Sequence, residues 1–215
     1  VLRRETISLL IYALVVSVAL LYSGLAPFDR TTWWLEVLPV FIALPLLALT
    51  YRSFPLTSLL YLLITLHCLV LITGGAYSYA RVPLGFWVQE WLELSRNPYD
   101  KLGHFMQGLV PALLTREILL RRGYLVVTRM TSFLAICVAM AFSACYELIE
   151  WWSALALGQG ADEFLGTQGD PWDTQSDMFL ALLGSSFGMI CLSGIHNRQL
   201  SGLGWRGLRS ADTGR

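Results

Sequence analysis

Residues 131–155 read TSFLAICVAMAFSACYELIEWWSAL, an apolar run that carries no charge before Glu147 and Glu150 and then meets Trp151 and Trp152. At a rise of 1.5 Å per residue, about 20 apolar residues cross a hydrocarbon core of roughly 30 Å. Lipid offers the backbone no hydrogen-bond partners, so only helices and closed barrels cross it, and an uninterrupted run of this kind is a helix. Working outward, five further runs have the same character: 7–22, 33–50, 57–77, 102–120 and 178–195. With 55% hydrophobic and 14% charged residues and a mean hydropathy of +0.57, the chain is too apolar for a soluble domain. The expected fold is all-α: a polytopic transmembrane bundle of about six helices over residues 1–197. A basic, disordered tail is expected over 198–215.

Arg3 and Arg4, the apolar run after them, and Ser23, Gly24 and Ala26 also fit the layout of a signal peptide. A polytopic chain keeps such a segment as an anchor, and retention is the expectation. Basic residues set the orientation. With the N-terminus in the cytoplasm, Arg3, Arg4, Arg52, Arg116, Arg121, Arg122, Arg129, Arg198, Arg206, Arg209 and Arg215 fall inside, eleven of the fifteen Lys and Arg, and only Arg30, Arg81, Arg96 and Lys101 fall outside. That is the positive-inside bias, and the expectation is that both termini are cytoplasmic. Trp33, Trp34, Trp151 and Trp152 then lie at the outer interface. Residues 78–99 set Phe86, Trp87, Trp91 and Leu92 among Glu90, Glu93 and Arg96, the pattern of an amphipathic helix on the outer surface between the third and fourth spans. The four cysteines, Cys68, Cys137, Cys145 and Cys191, all fall within spans, which suits packing and not a disulfide framework.

Between Arg129 and Arg198 there is no Lys or Arg, yet seven acids occur: Glu147, Glu150, Asp162, Glu163, Asp170, Asp173 and Asp177. Two carboxylates 4 Å apart at an effective dielectric near 20 repel by roughly 4 kcal/mol, so such a group takes up protons, faces water or holds a cation. Helical spacing puts Asp100 with His104, Glu147 with Glu150, and Asp173 with Asp177 on common faces. Each face continues in small residues: Gly108 and Ala112 below His104, Ala139 and Ser143 before Glu147, and Ala181, Gly184 and Gly188 after Asp177. Small residues let membrane helices approach closely, so the three faces are expected to meet around one outward-opening pocket.

Structural roles compete with site roles. In Asp170-Pro171-Trp172-Asp173, Asp170 suits an N-cap with Pro171 at the first helical position. Asp162 and Glu163 suit a solvated loop, Glu90 and Glu93 the wet face of the surface helix, and Arg116 and Glu117 snorkelling at the inner interface. His67, near mid-membrane, suits a bond to a neighbouring helix or a proton relay. Glu36 suits either the pocket or the interface.

Three blocks stand out in order: YDKLGHFMQG at 99–108, YELIEWW at 146–152 and FLGTQGDPWDTQSDM at 164–178. They resemble the YjdF-like family of bacterial inner-membrane proteins over most of the chain. More loosely, the Asp100-Lys101-x-x-His104 helix start and the later acid-rich helices resemble the VanZ-like family of glycopeptide-resistance accessory proteins. The resemblance implies a multi-helix inner-membrane protein with these acids as its signature, and it carries over no reaction.

The residues themselves suggest a divalent-metal enzyme acting on a membrane lipid or lipid-linked substrate. In that reading Glu147, Glu150, Asp173 and Asp177 hold the metal, while His104, Asp100 and Asp170 are the candidate catalytic groups. Oxygen ligands beside one His favour Mg²⁺ or Mn²⁺, with Zn²⁺ next. Lys101 is the only cation expected near the pocket to meet a phosphate. A non-enzymatic accessory protein and an ion or proton transporter remain open alternatives. Polarity confined to one face, and the lack of a repeat, weigh against transport. No nucleic-acid partner is expected.

Overall fold

The computed structural model describes residues 2–157 and 168–204; Asp162 and Glu163 lie outside the described residues. Among these, every element is helical. The helices are α1 (Leu2–Ser23), α2 (Arg30–Thr50), α3 (Ser58–Tyr77), α4 (Pro83–Trp91), α5 (Tyr99–Arg121), α6 (Arg129–Leu157), α7 (Asp173–Phe187) and α8 (Ser193–Gly202). A π-helical turn, Gly188–Leu192, joins α7 to α8 without a break.

Five helical stretches are long and apolar enough to cross a membrane: Thr6–Ser23, Arg30–Thr50, Ser58–Tyr77, Arg129–Ala156 and Asp173–Gly202. Helix α5 has the length, 23 residues or about 34 Å. Its Asp100, Lys101, His104, Gln107, Arg116 and Glu117 make it more polar, and it takes the centre of the bundle, sheathed by α3, α6 and α7. A polar helix can cross lipid when its neighbours, and not hydrocarbon, cover its polar face. One apolar core forms where α3, α5 and α6 meet, around Leu60, Met106, Leu109, Leu113, Ala135 and Ala139. A second joins α1, α2 and α3 through Val16, Val37, Val40 and Cys68.

The α5–α7 crossing is very close. A Cβ on Gly108 would lie 1.9 Å from the Ala181 carbonyl oxygen, and one on Gly184 would lie 2.0 Å from that of Phe105. Backbones this near leave no room for any side chain, which is why the small-residue faces of the two helices meet.

Several local expectations change. The surface helix is shorter than residues 78–99: it spans Pro83–Trp91, with Trp87, Glu90, Trp91 and Glu93 exposed. Its flanks fold inward, because Asn97 gives its side-chain amide to the Val82 carbonyl while its Oδ1 accepts from the Tyr99 N–H. Trp33 is not an interfacial residue but a core one, 5% exposed, with its indole N–H bonded to Ser23 Oγ; Trp34 beside it is exposed. The helix does not stop at residue 197: 198–202 remain helical, and 205–215 lie outside the described residues.

Arg116 and Glu117 do not snorkel. They are 2% and 0% exposed at the end of the bundle opposite α4. Glu117 accepts from Thr57 N and Oγ1, from Arg121 and from His196 Nε2. Arg116 donates to His196 Nδ1 and Asn197 Oδ1. A helix-end ion reaches water only if its own face is lipid- or water-exposed, and this face of α5 is covered by α3 and α8.

Candidate functional site

Three helices converge at one end of the bundle. Helix α5 supplies Asp100 and His104 from its first two turns, α6 supplies Glu147 and Glu150 from about two to three turns before its end, and α7 supplies Asp173 and Asp177 from its first two. The close α5–α7 crossing fixes their separation. His104 Nε2 lies 3.4 Å from Asp100 Oδ1 and 3.9 Å from Asp177 Oδ2. One ligand atom each from Asp100, His104 and Asp177 can be chosen so that all lie within 4.8 Å of one another.

The other face of the imidazole is also engaged. His104 Nδ1 sits 3.0 Å from Gln107 Oε1, and Nε2 faces the two aspartates; with the Nδ1 proton given to Gln107, Nε2 is the nitrogen that a metal would take. That is the way an outer-shell partner orients a metal-binding His. Glu147 Oε1 approaches the same ring at 3.7 Å and has no hydrogen-bond partner, although Glu147 is only 8% exposed. Lys101 reaches across to α7, donating to Ser176 Oγ at 2.6 Å and standing 3.9 Å from Asp177 Oδ1.

The remaining acids divide. Asp170 and Asp173 both pair with Arg96, at 3.0 and 2.5 Å. Burial works against the guanidinium charge, but the Asp173 hydrogen bond and the two carboxylates outweigh it, so the Arg96 pKa lies above its ordinary value. Lys101 is therefore not the only cation near the acids; Arg96, from the segment after α4, already neutralises two of them. Asp170 does not cap α7 either. The helix begins at Asp173, and the Asp170 carboxylate accepts the Trp172 N–H just before it.

Glu36, His67 and Glu150 line a cavity of about 210 Å³ that runs from Asp100 and His104 toward mid-bundle. Glu36 is buried and accepts a hydrogen bond from the Tyr146 hydroxyl at 3.0 Å. His67 Nε2 is shut off from solvent and has no partner. Tyr79, Gln107 and Phe142 complete much of the wall. Pro39 and Pro111 lie on it too, and neither has an N–H to give to the carbonyl four residues earlier. Polarity thus extends well below the outer rim. It does not run through, because the apolar layer of Leu109, Leu113 and Met189 separates the cavity from the Arg116–His196–Glu117 network.

Glu36 and His67 were legible as ambiguous positions; Tyr79, Gln107 and Arg96 were not legible at all. Tyr79 reaches the cavity through a turn in which Ser78 and Tyr79 both take left-handed backbone angles, φ 52° and 43°. No residue type announces that geometry.

The Escherichia coli (strain K12) inner membrane protein YjdF is 61% identical to this chain over 192 residues, 89% of this chain and 92% of that protein. No solved structure matches. The apolar helices and this relative together make the chain a multi-pass inner-membrane protein. The family described as "Predicted membrane protein (DUF2238)" matches residues 8–198, and the chain belongs to that family.

Proposed function

We propose that this protein is a metal-dependent enzyme acting on a membrane lipid or lipid-linked substrate at the outer leaflet, with Asp100, His104 and Asp177 as the metal ligands. The observation that carries the reading is the juxtaposition of the His104 imidazole, contacted at Nδ1 by Gln107, with two aspartates whose ligand atoms lie within 4.8 Å of it and of each other. Two carboxylates and one imidazole suit Mn²⁺, Mg²⁺ or Zn²⁺, and three protein ligands leave positions for water and substrate. Bound there, the metal would polarise a phosphoryl or acyl group and lower the pKa of a water. Glu147, buried with an unpartnered oxygen beside His104, is placed to take a proton. Lys101 can meet an anionic group at the rim. Trp34, Trp87, Trp91, Trp151, Trp152 and Trp172 are exposed, and exposed Trp favours the headgroup region of a membrane.

In this reading Asp173, Asp170 and Glu150 do not bind the metal: the first two hold Arg96, and Glu150 faces the cavity. Purified protein should lose thermal stability on EDTA treatment, because a metal at 100 times its Kd contributes about 2.7 kcal/mol. Elemental analysis should find the metal in the parent and in Asp173→Asn, which breaks the Arg96 pair, and lose it in Asp177→Asn. A well-folded Asp177→Asn that keeps its metal, or restores growth in a deletion strain as well as the parent, rules the reading out.

The outward orientation is inferred from sequence, where the positive-inside rule assigns eleven of the fifteen basic residues to the cytoplasmic side. Glu90→Cys, on the exposed side of α4, should react with an impermeant thiol reagent in cells with a permeabilised outer membrane and an intact inner one. Reaction only after lysis of the inner membrane would turn the pocket to the cytoplasm.

A further inference from the structure

We propose that the cavity beside His104 receives the ammonium end of an amine-bearing phospholipid headgroup. This deepens the enzyme reading above by naming a substrate class, and its phosphate placement rests on that reading. The lining supplies Glu36, Asp100 and Glu150 with no Lys or Arg, so a cation is favoured there and an anion is not. The rings of Tyr79, Tyr146 and Phe142 add the faces that attract organic ammonium groups. Leu71, Pro39 and Pro111 give the wall an apolar stretch, which suits the methylenes of an aminoalkyl group. The volume argues the same way. About 210 Å³ is several times the roughly 30 Å³ of a water molecule and far exceeds what a single ion needs.

Acceptors wait in the cavity. His67 Nε2 has no hydrogen-bond partner, and the carbonyl of Gln107, a wall residue, lacks its usual helical donor because Pro111 carries no N–H. An ammonium, with up to three N–H donors, answers that deficit. His104 belongs both to the metal ligand set and to the cavity wall. A headgroup with its phosphate toward Lys101 and the metal therefore has its amine directed at Glu36 and Glu150. A phosphate with a neutral or polyol headgroup offers nothing to those carboxylates.

The test is saturable thermal stabilisation of the full chain in detergent by short-chain phosphatidylethanolamine, compared with phosphatidylglycerol of the same chains and with free ethanolamine. Metal content is read on the same samples. Phosphatidylethanolamine should bind at least ten-fold tighter than either comparison ligand. Glu36→Gln and Glu150→Gln should each erase most of that preference while leaving metal content unchanged. Equal stabilisation by the two lipids overturns the proposal, as does a retained preference in whichever variant folds. Free ethanolamine matching the lipid overturns the lipid assignment and makes the cavity a site for a soluble amine. Parent protein that binds metal yet shows no lipid preference sinks this inference alone; a preference in parent protein that holds no metal sinks the metal reading alone.

Discussion

Gly184→Leu should leave little folded protein in the membrane, although residue 184 touches no candidate ligand. Its first added carbon would lie 2.0 Å from the Phe105 carbonyl oxygen and 3.1 Å from the Leu109 amide nitrogen. Both are backbone atoms of a central helix and cannot swing aside as a side-chain tip would. Overpacking in a filled core costs about 1–3 kcal/mol when side chains can adjust; here two helices must part, and a loss above about 3 kcal/mol is expected. Separating α5 from α7 would also pull Asp177 from His104. Phe187→Leu on the same helix is the control. Phe187 is 43% exposed and meets Phe105 with ring centroids 5.8 Å apart, so its truncation should cost about 1 kcal/mol. Expression level and melting midpoint in detergent check both. Equal behaviour of the two variants would mean that α7 does not pack through Gly184.

The second large effect lies at the opposite end of the bundle. Glu117→Leu should destabilise the protein by about 3–5 kcal/mol, the usual cost of removing one member of a buried ionic network. Glu117 is fully buried and accepts from Thr57, Arg121 and His196, so its loss strands several donors at once. Arg116 deepens the effect, because it is held only through His196 and Asn197 and its Nε has no partner. Arg122→Ala should change stability by less than about 1 kcal/mol, since Arg122 is exposed and only overlies Phe54, 5.0 Å from the ring centroid. Denaturant unfolding of both variants in one detergent decides it. A Glu117→Leu variant as stable as Arg122→Ala would show that the network is hydrated and contributes little.

Much of the candidate site could be read from sequence because membrane helices obey a simple period. Asp100 with His104, and Asp177 with Ala181, Gly184 and Gly188, share faces by spacing alone, and close packing of small residues brings those faces together. What spacing does not give is the partner of each acid. Asp173 is one turn from Asp177, yet Arg96 captures it together with Asp170, and Asp177 is left to His104. Arg96 comes from a segment whose path depends on the Asn97 hydrogen bonds and on Gln168 bonding back to Asn97, all long-range or irregular contacts.

The sequence by itself determined the helical class, the approximate positions of most helices and the small-residue faces, because hydrocarbon imposes backbone satisfaction and length on every span alike. Only the tertiary structure decided that Arg116, Glu117 and Trp33 are buried, that Tyr79 enters the cavity from a left-handed turn, and that polarity reaches His67. Each of those depends on which neighbour covers a given face. Hydropathy along one chain cannot distinguish a face turned to lipid from the same face turned to another helix.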